Sequence, residues 1–500
     1  MKTTIKILSI ILVLSLSNSC EKEWLEMEPK GKKLEANFYQ TEQELFDGLM
    51  AAYDMLQIKY GPPWSSYYFM ANFPSDDSKV VGGGPGDRPE YHEIARFQTT
   101  ATNPAIEELW RREYNGIYRA NIIINNSEVE SSMAQRYKAE AKFLRAYYYF
   151  ELIRFYGDVP LILNTLSPDE YGQEKTDKSI IYEQLEEDLK QAVPDLPVKS
   201  SLSSYELGRV TKGAAQSLLG KIYLYQEKFQ DAADMLKNVV DLEGDVYQLE
   251  DNFDKIWKAS SENGPESIFE IQYSSITERG DWDWGRANEG NIDVQMSGPR
   301  MTDTDTLNAG WGFDMVTQDL IDAYRSEDDS ARMHGTAYGA AFLNEIGASS
   351  WEENEGYTGW FSKKRAPWAS YTAAVNTEWN YGTNERMIRL ADVKLMYAEA
   401  LNRSGINDAE ALAQVNDIRE RADLPPLTGV SGDALFEAIK KERRLELAME
   451  GHRFFDLVRW GDAAEVLGPL GFEEGKHEVF PIPQGEIDKS DGKLTQNDNY

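Results

Sequence analysis

The chain has 500 residues, 41% of them hydrophobic, with 85 Asp and Glu against 52 Lys and Arg and a formal charge of −33. That much apolar material can fill a large core, in two or three domains or in one repeat-built domain. So acidic a surface repels nucleic acid and anionic lipid, and four His with one Cys leave no transition-metal cluster, so no metal and no cofactor are expected.

The N-terminus carries Lys2 and Lys6, an almost unbroken apolar run from Ile7 to Leu16, and small residues at Ser17-Asn18-Ser19 before Cys20. The run is too short to span a bilayer and has the charge, length and position of a signal-peptide core. A lone thiol makes no internal disulfide, but a thiol at a cleavage site can take a lipid. Residues 1–19 therefore read as a lipoprotein signal and Cys20 as an acylated mature N-terminus. The alternative is a secretory signal with an incidental cysteine. Losing Lys2 and Lys6 moves the charge from −33 to −35. Residues 20–40, which include Glu21-Lys22-Glu23-Trp24-Leu25-Glu26, read as an acidic, extended tether.

Apolar residues at three- and four-residue spacing predict helices over 41–57, 105–126 and 134–156, with Thr41 and Glu44 placed for a capping box. Gly157-Asp158-Val159-Pro160 stops the third helix. Between Val210 and Val240, Leu219-Gly220, Tyr223, Phe229, Ala232-Ala233 and Leu236 follow the small and large residue order of a tetratricopeptide helix pair. Val393 to Arg419 repeats that order, and Phe143 to Phe155 with Ile180 to Ala192 predicts a third pair. A further continuous helix is predicted over 435–458, where Glu442, Arg443, Arg444, Glu446, Arg453, Asp456 and Arg459 suit ion pairs along one helix.

Long insertions interrupt these units, at 61–92, 272–312 and 349–383. They are rich in Gly, Asn, Asp and Trp, and loops on a rigid scaffold are where binding resides. Trp110, Trp257 and Trp460 sit in helical or apolar contexts and read as core. Gly82-Gly83-Gly84 lacks the Lys-Ser or Lys-Thr of a phosphate loop.

Several stretches carry a family resemblance. Ala141-Lys142-Phe143-Leu144-Arg145-Ala146-Tyr147-Tyr148-Tyr149-Phe150, with Phe155-Tyr156-Gly157-Asp158-Val159-Pro160-Leu161, resembles the N-terminal signature of SusD/RagB-type outer-membrane lipoproteins. Ile388 to Ala400 is similar to another of that family's segments. The strongest match is Glu442-Arg443-Arg444-Leu445-Glu446-Leu447-Ala448-Met449-Glu450-Gly451-His452-Arg453-Phe454-Phe455-Asp456-Leu457-Val458-Arg459-Trp460-Gly461, and Phe480-Pro481-Ile482-Pro483-Gln484 to Asn497 resembles the family's tail.

The resemblance implies a mainly α SusD-like fold over residues 41–500, one domain with four tetratricopeptide-like helix pairs and an irregular ligand-binding half. It also implies a non-enzymatic lipoprotein at the cell surface of the outer membrane, held through lipid on Cys20. Its partners would be oligosaccharide or polysaccharide and a SusC-like TonB-dependent transporter, with no nucleic acid.

A sugar ring has an apolar C–H face and a polar rim, so a water-facing indole beside Asn, Asp or Arg is the pattern to seek. Arg279, Trp282 and Trp284, followed by Asn288 and Asn291, have both parts. In an extended chain the two indoles point to one side about 7 Å apart; otherwise they plug the scaffold beneath the loop. Trp311, in Ala309-Gly310-Trp311-Gly312-Phe313, resembles a stacking position of the family or else is a structural Trp before a helix over 316–324. Trp64, Tyr67, Asn72, Asp76 and Asp77 form a second candidate set, although Ser75-Asp76-Asp77 also suits an N-cap or a turn, and Tyr91 after the Gly-rich stretch is a further candidate. Trp360, with Trp368, flanks Lys363-Lys364-Arg365, which is either a carboxylate-reading patch or a solvated loop. Two other functions stay open: a partner subunit of the transporter that binds no glycan, and a glycoside hydrolase using Asp281 and Asp283. Two carboxylates two residues apart are a weak sign of the latter, because catalytic pairs come from separate elements at a defined distance.

Overall fold

The computed structural model describes residues 39–57, 64–126, 128–276 and 289–500. Within these the protein is mainly helical. The long helices are α1 (Glu42–Asp54), α2 (Pro104–Ile124), α3 (Ser132–Tyr156), α4 (Lys178–Ala192), α5 (Lys212–Tyr225), α6 (Phe229–Val240), α7 (Leu390–Arg403), α8 (Asp408–Arg421), α9 (Gly432–Leu447) and α10 (Arg453–Trp460). Each predicted long helix except that over 435–458 lies within a few residues of an observed one. The cause is local: N-caps at Thr41, Asn103, Ser131, Asp177, Thr211 and Asn407 each accept a backbone N–H of the first turn.

Successive helices pack as neighbours from α2 through α6, and α7 then packs on α6, α8 and α9. All three predicted helix pairs are therefore in contact. Gly220 shows why a small residue is needed: a Cβ there would lie 2.5 Å from the Leu236 side chain. One continuous apolar core runs through this stack, from Leu45 on α1 to Leu494 in the tail.

The other half holds short elements around an antiparallel four-stranded sheet. Its strands are β1 (Ser78–Val80), β3 (Asp314–Val316), β4 (Ala337–Gly339) and β5 (Trp360–Ser362), in the order β1-β3-β5-β4. Strands β2 (Ser267–Ile271) and β6 (Glu385–Arg389) pair separately, and Arg389 leads directly into α7. The region before Tyr324, predicted as helix from residue 316, begins instead with β3, and its helix runs Gln318–Ser326.

The predicted helix over 435–458 is broken. α9 ends at Leu447, Met449 and Gly451 adopt φ of 62° and 78°, and α10 begins at Arg453. A Cβ on Gly451 would sit 3.2 Å from both Ala71 and Tyr67, so the turn nests against the Tyr67–Asn72 helix. Asn72 locks it, accepting the Gly451 N–H at 2.9 Å and donating to the Met449 carbonyl at 3.4 Å.

The break changes how the charged motif works. Its ion pairs hold the scaffold, as the sequence suggests, but nearly all run between elements rather than along one helix. Glu446 meets Arg389 at 2.6 Å, Arg332 at 3.4 Å, and Arg421. Glu450 takes Arg389 and Lys364 at 2.8 and 2.7 Å, and Glu442 takes Arg332 and Arg419 at 2.6 and 3.1 Å. Glu266 on the approach to β2 and Asp329 complete the set. All of these side chains are buried. Burial pushes carboxyl pKa values up, but here the guanidiniums outweigh it, so Glu446 is held far below the usual range and Glu450 at about 2. Next to this lattice, burial and the neighbouring Lys221 depress His452 to about 3, which keeps it neutral.

Candidate glycan-binding site

Trp64, Trp311 and Trp379 come from three distant parts of the chain and meet where the helical stack joins the irregular half. Their ring centroids are 5.3 Å apart for Trp64 and Trp311, 5.8 Å for Trp64 and Trp379, and 5.9 Å for Trp311 and Trp379, with mutual tilts of 42°, 53° and 75°. Tilted and edge-on indoles at this spacing attract by about 0.5–1.5 kcal/mol per pair beyond their buried area. Trp64 and Trp379 are buried, at 3% and 4% exposure. Trp311 is half-buried, with the other two behind it.

Each indole sits on fixed backbone. Ser65, after Trp64, gives its N–H to Glu108 at 2.9 Å, and its carbonyl accepts from Arg112 at 2.8 Å, so α2 holds this end. The Trp311 loop is laced to the Ile292–Ser297 helix and its exit: Trp311 N–H to Gln295, Gly312 N–H to Gly298 and Phe313 N–H to Met296. Gly298 and Gly310 are required there, since a Cβ on Gly310 would lie 2.4 Å from Gly298 backbone. Trp379 ends a short helical turn, and Gly290 crosses it so closely that a Cβ would be 1.9 Å from the Trp379 carbonyl.

Charged groups form the rim. The Arg88 guanidinium lies over the Trp64 ring, 4.5 Å from its centroid, with Glu90 at 3.6 Å. Arg300 donates to the Trp311 carbonyl at 2.9 Å and to Asp87 at 2.6 Å. An apolar indole face with donors and acceptors at its edge suits a ring that has an apolar face and a hydroxylated perimeter.

The structure sorts the predicted residues. Trp311 and Trp64 come together, Trp64 as a brace behind Trp311. Tyr91 is fully buried against Phe73 and Phe313 and offers no surface to a ligand. Asn72 is committed to the α9–α10 turn. Asp76 binds Arg453 through both oxygens, at 2.8 and 2.9 Å, and also meets Arg444. Asn291 is buried as a helix cap and also donates to Thr383 and Glu385. Trp360 lies on β5, half-buried, with its N–H on Gln318 and Arg325 near its ring, away from the Trp311 cluster. Arg279, Trp282, Trp284 and Asn288, like Cys20 and Asp281 with Asp283, lie outside the described residues.

Lys363-Lys364-Arg365 is neither a solvated loop nor a ligand patch. Lys364 is buried on Glu450, Arg365 is buried on Glu385 with the Tyr68 ring beneath it, and Lys363 meets Asp254 at 2.7 Å. Of the predicted core tryptophans, Trp110 and Trp257 are buried, while Trp460 is half-buried with its N–H on Glu399. The sequence reading missed Trp379, Arg88, Arg300 and Asp87 as rim or brace, because no spacing relates them to Trp311. Among the described residues no helix is long and apolar enough to cross a membrane, and no group of three or more His, Cys, Asp or Glu is placed to hold a metal.

Comparison with known proteins bears on this geometry. The sequence model of the SusD family matches residues 333–478, and one described as starch-binding, associating with the outer membrane, matches residues 23–224. A solved laminarin-binding SusD-like protein is 36% identical, with 92% of this chain and 100% of that one aligned at a TM-score of 0.83. The chain belongs to the SusD family. Surface glycan-binding protein A from Bacteroides thetaiotaomicron, solved with laminarihexaose, is 26% identical over 92% of this chain and 99% of that one, at a TM-score of 0.80. SusD-like protein P2 from Formosa agariphila is 26% identical, with 99% of both chains aligned. The expected mainly α SusD-like fold is thus the observed one.

Proposed function

We propose that this SusD-family chain is a surface glycan-binding lipoprotein that captures oligosaccharide or polysaccharide at the outer membrane and passes it to a SusC-like TonB-dependent transporter. The observation that carries this reading is Trp311, an indole presented on glycine-locked backbone and braced by two buried indoles, within a fold shared with a laminarin-binding relative. Laminarin-type β-glucan is the first ligand to try. Residues 1–19 serve as signal, Cys20 carries the lipid, residues 20–40 form the tether, and residues 41–500 act as one binding domain.

Affinity electrophoresis through gels containing laminarin, xylan or mannan tests the reading. Retention by at least one gel, lost in Trp311→Ala, supports it. Unretarded migration in all of them favours a transporter subunit without a glycan of its own, and new reducing ends after incubation would show a hydrolase. Fatty-acid labelling of cells making the wild type, absent in Cys20→Ala, tests the anchor.

A further inference from the structure

Charge at the Trp311 rim comes in compensated groups. Arg300 is 31% exposed and Asp87 33%, so their pair stands at the surface beside the indole rather than beneath it. Arg300 places Nε–H on the Trp311 carbonyl at 2.9 Å and Nη2–H on Asp87 Oδ2 at 2.6 Å, and its Nε is 3.9 Å from a Glu352 carboxylate oxygen. Asp87 Oδ2 also accepts the Gly83 N–H at 2.8 Å, which ties the glycine-rich turn to the same clamp. On the other side Arg88 has Glu90 at 3.6 Å. Among the described residues, two guanidiniums therefore face three carboxylates.

Resting on the glycan reading above, we propose that this site selects uncharged sugars, and that Asp87 is the specificity-determining residue. It holds Arg300 on the Trp311 carbonyl and at the same time cancels its charge. A sugar hydroxyl both donates and accepts, so it can join an Arg–Asp pair without breaking it. A uronate carboxylate only accepts, and it must compete with Asp87 for the same guanidinium while being repelled by Asp87 and Glu352. Lys363-Lys364-Arg365 supplies no compensating positive patch, because Lys364 and Arg365 are paired inside the scaffold and Lys363 is paired with Asp254.

The test uses the full mature chain with Cys20→Ala for solubility, and gels or titrations with laminarin as neutral glucan and polygalacturonate as polyuronate. The wild type is expected to bind the polyuronate at least about 10-fold more weakly than the glucan. Asp87→Asn is expected to weaken glucan binding about 3- to 10-fold while strengthening polyuronate binding, and the gain should vanish at about 0.5 M salt. The ratio of the two affinities is the deciding readout, since general loosening of the fold lowers both together. Equal affinity of the wild type for both polymers, or an unchanged ratio in Asp87→Asn, overturns the proposal. If Trp311→Ala leaves glucan binding intact, the site reading itself fails and the inference falls with it. Loss of binding in Trp311→Ala with no selectivity in the wild type overturns only the inference.

Discussion

Around Glu446, cations and carboxylates are sealed together at the junction of β6, α8 and α9; around Trp311, three indoles meet and one stays in reach of water. Both regions draw on residue types that a sequence reader would flag for binding. The charged region is spent on holding elements together, and every member has partners at hydrogen-bond distance. The aromatic region has a core of the same buried kind, Trp64 and Trp379, but uses it to present a third ring. What separates scaffold from candidate site is therefore not residue type but whether the last member of the cluster is covered.

Stability and binding should come apart accordingly. The largest effect is expected from Glu446→Ala, which leaves Arg389, Arg421 and Arg332 short of a shared buried counter-charge. Breaking such a lattice costs about 3–5 kcal/mol, measurable by urea denaturation, and the comparison breaks if the cost is under about 1 kcal/mol. Glu450→Gln is expected to cost about 3 kcal/mol near neutral pH. Burial alone would raise the Glu450 pKa, but Arg389 and Lys364 hold it at about 2 in the folded state. A depressed folded pKa gives stability that is complete above the ordinary carboxyl range and is lost as pH falls through the folded value. The gap between wild type and Glu450→Gln should therefore narrow as the pH drops from about 4.5 toward about 2, as followed by denaturation at a series of pH values.

Trp311→Ala is expected to weaken glycan binding about 30-fold, near 2 kcal/mol, with a stability loss of about 1 kcal/mol from its two ring contacts. Calorimetric titration beside thermal melting reads both. A collapse in melting temperature with unchanged affinity would move Trp311 to the scaffold side of the comparison. Trp360→Ala should have the smallest effect, leaving glycan affinity within about 2-fold, because its indole is occupied with Gln318 and Arg325. A larger loss would extend the site to β5.

Much of the helical half was legible from the chain itself. Apolar period, N-caps and the small residues of the helix pairs are local signals, and Gly220 against Leu236 shows them meeting in space as their order implied. The α9–α10 break was not legible. Leu435 to Val458 keeps a helical period throughout, and the interruption is imposed by Asn72 and Tyr67, more than 370 positions away. In the insertions, composition singled out Trp311 and Trp64 together with several polar side chains. It could not separate the half-buried Trp311 from Trp64, Tyr91, Asn72, Asp76 and Asn291, which are buried or paired within the scaffold.

By itself, then, the sequence determined a mainly helical scaffold of paired repeats interrupted by aromatic-bearing insertions, because helix periodicity and capping act over a few residues. Tertiary structure decided which polar and aromatic side chains stay within reach of solvent. That depends on partners contributed by remote segments: Glu450 for Lys364, Arg453 for Asp76, and Trp64 with Trp379 for Trp311. Burial and pairing are properties of the assembled core, and no local pattern encodes them.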